Sequence, residues 1–196
     1  MFALVAAMMM MQGLDDTGTA IAQPVGKAIL EPVSGSYFQI FEFYGRPPYT
    51  WRHAKRMVKG YLHEGREGNL ATIKDGSTHY FLILNFPELR EQPMWIGLAA
   101  ECNEQADLIW VDDTNLADTS FRAWNPVAQK KIRDNCKRLE ETGTQLPIYY
   151  EPSDLGSRWE VSTPTSNITR MMVEFPVPVE EEAPAEGDIG ETTVGR

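Results

Sequence analysis

Alternation of apolar and polar residues is clearest at Ser36–Phe43 (SYFQIFEF), and it predicts a strand with one buried face. GRPPY then reads as a turn, and Thr50 as the N-cap of the next element. In TWRHAKRMVKGYL, Trp51, Ala54, Val58 and Tyr61 with Leu62 recur at helical spacing. Arg52, Lys55, Arg56 and Lys59 occupy other faces, so this helix is amphipathic with a basic exterior. A glycine turn leads into the short apolar strand NLATI, after which Asp75 or Ser77 caps a second helix that Pro87 ends. Strand signals follow at Trp95–Leu98, Leu108–Val111, Pro147–Tyr150, around Trp159 and at Met171–Phe175.

Two stretches break this rhythm. Between Asn125 and Leu146 the apolar periodicity weakens, although VAQKKIRDNCKRLEET retains enough for a short helix. The segment 176–196, PVPVEEEAPAEGDIGETTVGR, is rich in proline and carboxylates and is expected to be a disordered tail. At the other end, the apolar run Phe2–Met11 is too short to span a bilayer, which takes about 20 residues. It fits a signal-peptide core, with Ala20-Ile21-Ala22 as an A-x-A cleavage motif before Gln23. No Lys or Arg precedes the run, so a disordered leader is the alternative. The expected organisation is a leader over 1–22, a linker over 23–35, one domain over 36–175 and the tail over 176–196.

Charge narrows the partners. The formal net charge is −10. The tail carries six carboxylates against Arg196, and Asp15 and Asp16 lie in the leader, which leaves the body near about −3. A nearly neutral body without a basic excess argues against nucleic acid as a partner. Trp95, Trp110, Trp124 and Trp159 fall within 65 positions and predict one dense aromatic core. Cys102 and Cys136 permit a single disulfide or two unpaired thiols, because bridging depends on backbone distance.

Five short motifs, in order, resemble the C-type lectin-like domain. They are Trp51-x-x-Ala54, Asn69-Leu70-Ala71-Thr72-Ile73, Trp95-Ile96-Gly97-Leu98, Trp110-Val111-Asp112-Asp113, and Phe121 through Trp124. The resemblance runs from Ser36 to about Phe175. It implies an α+β fold, with two helices, a small mostly antiparallel sheet and a long-loop region. The core positions it implies are Trp51, Val58, Trp95, Gly97, Trp110, Trp124, Trp159 and Val173, and it implies that Tyr37–Phe43 pairs with Met171–Phe175. It also implies that the tryptophans pack under and beside the long loop. In the family a disulfide usually joins the first helix to the last strand. Here the matching positions are Val58 and Val173, so the resemblance implies an apolar contact in its place. Cys102 and Cys136 match neither usual cysteine pair.

Members that bind sugar through calcium carry Glu-Pro-Asn or Gln-Pro-Asp in the long loop and Trp-Asn-Asp in the next strand. Here the loop reads Trp124-Asn125-Pro126-Val127 and the strand Trp159-Glu160-Val161. Calcium needs six to eight oxygen ligands, so binding without calcium is expected, with no metal or other cofactor.

Catalytic signals are thin. His53, His63 and His79 are scattered, and no phosphate loop or nucleophile elbow is present. Cys136 beside Arg133, Lys137 and Arg138 has the electropositive setting of a reactive thiol, against the simpler reading of a bridged or idle cysteine. No enzyme is expected. Lys130, Lys131, Arg133, Lys137 and Arg138 instead concentrate positive charge where the family binds ligands. Two readings stay open: an anion site, or a solvated helix face partly neutralised by Asp134, Glu140 and Glu141. Asn125, Arg158 and Glu160 complete the candidate ligand-binding set. Asn167-Ile168-Thr169 is a glycosylation sequon, meaningful in a eukaryotic secretory pathway. The expected role is a secreted or envelope-facing module that recognises a glycan or protein partner through the long-loop face. An assembly subunit with no small ligand is the alternative. No membrane span is expected, and the oligomeric state is left open.

Overall fold

The helices begin where local chemistry allows. In the computed structural model, which describes residues 20–102, 106–139, 145–153, 157–162 and 166–178, Thr50 caps α1 (Trp51–Met57) by accepting from the His53 N–H. Asp75 caps α2 (Gly76–Asn85) by accepting from the Thr78 N–H at 2.8 Å, and a 3₁₀ turn follows over Pro87–Arg90. A third helix, α3 (Ala128–Leu139), stands in the stretch of weak periodicity. Among the described residues the domain is therefore mixed α/β with three helices, one more than the family resemblance implies, and the third stands where the residue pattern retains enough for a short helix.

Ten strands accompany them among the described residues: β1 (Ile21–Leu30), β2 (Tyr37–Tyr44), β3 (Leu62–His63), β4 (Arg66–Glu67), β5 (Asn69–Leu70), β6 (Met94–Glu101), β7 (Asp107–Trp110), β8 (Gln145–Glu151), β9 (Arg158–Val161) and β10 (Arg170–Phe175). β3 and β4 form a separate ribbon. The main sheet runs β1-β2-β10-β6-β8-β9, with β5 added to β10 and β7 to β6. β2 and β10 pair antiparallel from Tyr37↔Phe175 to Glu42↔Arg170, so strands from the two ends of the domain lie side by side. β10 meets β6 in parallel at Met171↔Trp95.

β1 differs from the expected organisation. The end of the supposed leader and most of the supposed linker form this ten-residue strand, paired to β2 from Ile21↔Tyr44 to Leu30↔Tyr37. Pro24 and a bulge between Val25 and Ile29 hide the pattern, because a strand at the sheet edge tolerates both. Ala20 and Ala22 are buried, so two of the three cleavage-motif residues belong to the core. The rest of the leader, and the tail from residue 179, lie outside the described residues.

Two apolar clusters flank the sheet, and β6 explains why. Its residues alternate sides: Met94, Ile96, Leu98 and Ala100 join one cluster, Trp95 and Ala99 the other. The expectation of one tryptophan core fails for that reason. Trp51 and Trp95 pack with Leu70, Met171, Val173 and Phe175, whereas Trp110, Trp124 and Trp159 pack on the opposite side, beneath α3. Val58 and Val173 share the Trp95 cluster at 1% and 0% exposure. Both border Gly68, where an added Cβ would lie 2.8 Å from the Val58 carbonyl oxygen and 3.1 Å from Val173 Cγ1.

Gly97 of the Trp-Ile-Gly-Leu strand has a similar explanation. A Cβ there would stand 2.6 Å from the Leu70 carbonyl oxygen and 2.8 Å from Val111 Cγ2. Instead the Gly97 N–H donates to the Ala71 carbonyl, and its own carbonyl accepts from the Val111 N–H.

Candidate ligand-binding face

The segment after Trp124 is built on β9. The Trp159 N–H donates to the Ala123 carbonyl at 2.7 Å, and the Asn125 N–H donates to the Trp159 carbonyl at 2.9 Å. Trp159 is also the centre of an aromatic group. Trp110, Phe121 and Trp124 each meet its ring edge to face, at centroid distances of 5.7, 5.7 and 5.3 Å. The buried indole N–H groups of Trp110 and Trp124 find no conventional acceptor among the described residues. These rings form a rigid floor.

α3 rests on that floor through one stripe. Ala128, Ile132 and Cys136, four residues apart, are buried, while Lys130, Lys131, Arg133, Asp134, Lys137 and Arg138 are exposed. Asn125 helps to start the helix: its carbonyl accepts from the Ala128 N–H, and its side chain accepts from the Val127 N–H at 3.4 Å. Cys136 is disulfide-bonded to Cys102, just past the end of β6, with Cα atoms 4.8 Å apart. The bridge pins the helix to the central strand, and it removes Cys136 as a candidate nucleophile.

The candidate residues separate into an anchored set and a presented set. Lys131 pairs with Glu160 at 2.9 Å, and Glu160, itself buried, also accepts from the Val161 N–H. Both Glu160 oxygens are therefore engaged within the domain. Arg158 is half-buried on β9, opposite Glu151. Lys130, Arg133 and Lys137, at i, i+3 and i+7, share one outer stripe with Asp134, and Arg138 lies beside it. Val161 is buried and Pro126-Val127 runs straight into α3. Among the described residues, no group of three or more His, Cys, Asp or Glu is placed to hold a metal ion.

Beside this face lies a buried polar pair. His79 Nδ1 stands 2.8 Å from the Tyr150 hydroxyl, and its ring packs on Phe121. Burial, helped by the Arg158 charge, lowers the His79 pKa to about 4, so the imidazole is neutral near pH 7. Burial raises the Tyr150 pKa. The sequon asparagine is exposed, but Asn167 Oδ1 accepts from the Tyr49 N–H at 2.8 Å.

Sequence reasoning missed a second polar site. A cleft of about 630 Å³ opens between the start of β2, the β4–β5 turn, the N-terminus of α2 and the end of β10. Glu174, 8% exposed, lines it and accepts from Ser36 Oγ at 2.9 Å, the Thr72 N–H at 2.9 Å and Thr72 Oγ1 at 2.8 Å. Burial raises its pKa above the ordinary glutamate value. Lys74 bridges Asp112 and Thr114 nearby. The available signal was a lone carboxylate inside the apolar strand Met171–Phe175.

No protein-family model and no curated protein matches the chain. Among solved structures, the chain is similar to rhodocetin, a snake C-type lectin-like protein. The likeness has 17% identity and a TM-score of 0.40, and it covers 73% of this chain and 91% of that one. No helix among the described residues is long and apolar enough to cross a membrane.

Proposed function

We propose that the protein is an exported C-type lectin-like module that recognises an anionic glycan or protein surface through α3 and its surroundings, without calcium. One observation carries this reading: the segment expected to hold the ligand site is a helix fastened on its inner side, with its outer side basic. Fixed cations on a rigid support lose less entropy on binding than cations on a free loop. Lys130, Arg133, Lys137 and Arg138 would supply the contacts, with arginine giving paired donors to sulfate, phosphate or carboxylate groups. Asn125, Lys131 and Glu160 would hold the base of the helix, with Arg158 beside Glu151 on the neighbouring strands. Export is supported by the disulfide, since such bridges persist in oxidising compartments. The module is not proposed to be an enzyme.

A glycan array followed by calorimetry, each with calcium and with chelator, tests the reading. Binding of uronate- or sulfate-bearing glycans, independent of calcium and weakened by salt, is expected. Binding of neutral sugars that needs calcium would contradict it.

The structural alternative draws on α2. Tyr80 and Leu84, one turn apart, are 64% and 74% exposed on a helix that is apolar on most sides. An assembly role predicts size heterogeneity in solution, abolished by Tyr80→Ser with Leu84→Ser, and no glycan signal.

A further inference from the structure

The cleft around Glu174 carries a second inference, independent of α3. Its charged lining comprises Arg66 and Lys74 against Glu67, Asp75, Asp112 and Glu174. Both cations are already engaged. Lys74 is paired with Asp112, and Arg66 donates to the Gly35 carbonyl and lies over the Tyr37 ring. The Asp75 carboxylate is taken up by capping α2. Glu174 is held by Ser36 and Thr72 alone, both neutral donors, and Oε1 accepts a single bond where two lone pairs are available. The Lys74 charge acts on Glu174 only from a distance, because its ammonium is bound to Asp112 and Thr114; among the described residues no cation donates a hydrogen bond to this recessed carboxylate, which is costly unless a positive group reaches it.

The remaining walls fit a particular kind of cation. Val111, Pro176 and Val177 are apolar and lie at the same cleft. An ammonium is compact enough to approach a recessed carboxylate, and its alkyl stem suits apolar walls. The sequence after Pro178 carries Glu180, Glu181 and Glu182, whose charge the test must separate from that of Glu174.

We infer that this cleft binds the primary ammonium group of an alkylamine, either a free amine or a lysine side chain, with Glu174 as its counter-charge. The ammonium would donate to Glu174 Oε1, and its methylenes would lie along Val111, Pro176 and Val177.

The test uses the full chain with n-pentylamine, the methylamide of Nα-acetyl-lysine, and 1-pentanol as the uncharged analogue, followed by amide NMR and calorimetry. Saturable shifts at Ser36 and Thr72 are expected with one or both amines and not with pentanol. The amine that binds more tightly identifies the source. Glu174→Gln, which keeps the shape and the acceptor, should weaken amine binding by about tenfold or more. The triple variant E180Q/E181Q/E182Q should keep it within about threefold. The inference is overturned if neither amine saturates, if pentanol shifts the same residues equally, or if the triple variant abolishes binding. Unchanged affinity in a folded Glu174→Gln protein would overturn it as well. Should that variant not fold, the shift map of the unaltered protein decides: shifts confined to residues away from Ser36 and Thr72 reject the cleft.

Discussion

The two sides of the main sheet are secured by different means. Around β10, Val58, Leu70, Trp95, Val173 and Phe175 are all at or near full burial, and no covalent link is present. Across the sheet, α3 buries one narrow stripe and is tied to the end of β6 by the disulfide. Where strands and a helix enclose side chains on every side, apolar contact supplies the stability, at about 1.5–3 kcal/mol for each fully buried valine. A helix with charges on most of its circumference has too little apolar area for that. A cross-link whose ends are 34 residues apart offsets the shortfall, with an expected worth of about 3–4 kcal/mol.

The largest break should come from Val58→Asp. Burying an unpaired carboxylate in the Trp95 cluster is expected to cost about 4 kcal/mol or more, read by chemical denaturation. An unchanged midpoint would show that Val58 has an escape to water. Replacing Cys102 and Cys136 together by serine should cost about 3 kcal/mol and loosen α3 while leaving β2 and β10 paired. Near-native α3 protection in that variant would mean that packing alone holds the helix. Gly68→Ala probes the seam between Val58 and Val173. The added methyl would meet the Val58 carbonyl at 2.8 Å, so a loss of about 1–3 kcal/mol is expected.

Acid should act on the α3 side first. The folded-state pKa of His79 is lowered to about 4 from an ordinary 6.5. The unfolded chain therefore takes up this proton before the native chain does. The stabilising contribution is complete above pH 6.5 and fades as pH falls toward 4, on the order of 2–3 kcal/mol in all. Glu174 has the opposite sign: its pKa is raised, so its contribution is present in acid and lost as pH rises through the folded value. His79→Gln should flatten the decline between pH 6.5 and 4, and Glu174→Gln should not. The smallest effect belongs to Lys130→Ala with Arg133→Ala and Lys137→Ala. Stability should stay within about 0.5 kcal/mol because these side chains are exposed. Anionic-ligand binding should fall about tenfold or more if the proposed face is right.

What could be read from the chain depended on how local its cause is. Thr50 and Asp75 announce their helices because a cap acts within three residues. Tyr37–Phe43 and Met171–Phe175 show strand character on their own, and the family resemblance supplied their pairing. β1 was hidden because Pro24 and the bulge interrupt its alternation. The two-sided division of the tryptophans follows from the side-chain alternation of β6, a rule available from sequence but masked there by an unbroken apolar run. α3 was faint because the buried stripe among its described side chains is Ala128, Ile132 and Cys136, one of them legible as apolar only once it is bridged. The Glu174 cleft is wholly tertiary: Ser36 and Thr72 lie 138 and 102 residues from it.

Native-state hydrogen exchange, run on oxidised protein and on protein reduced by a dithiol, tests the contrast between the two sides most directly. Reduction is predicted to raise exchange at the amides of 128–139 and to leave those of β2, β6 and β10 protected. Uniform loss of protection across all four elements, or no change in α3, would contradict it.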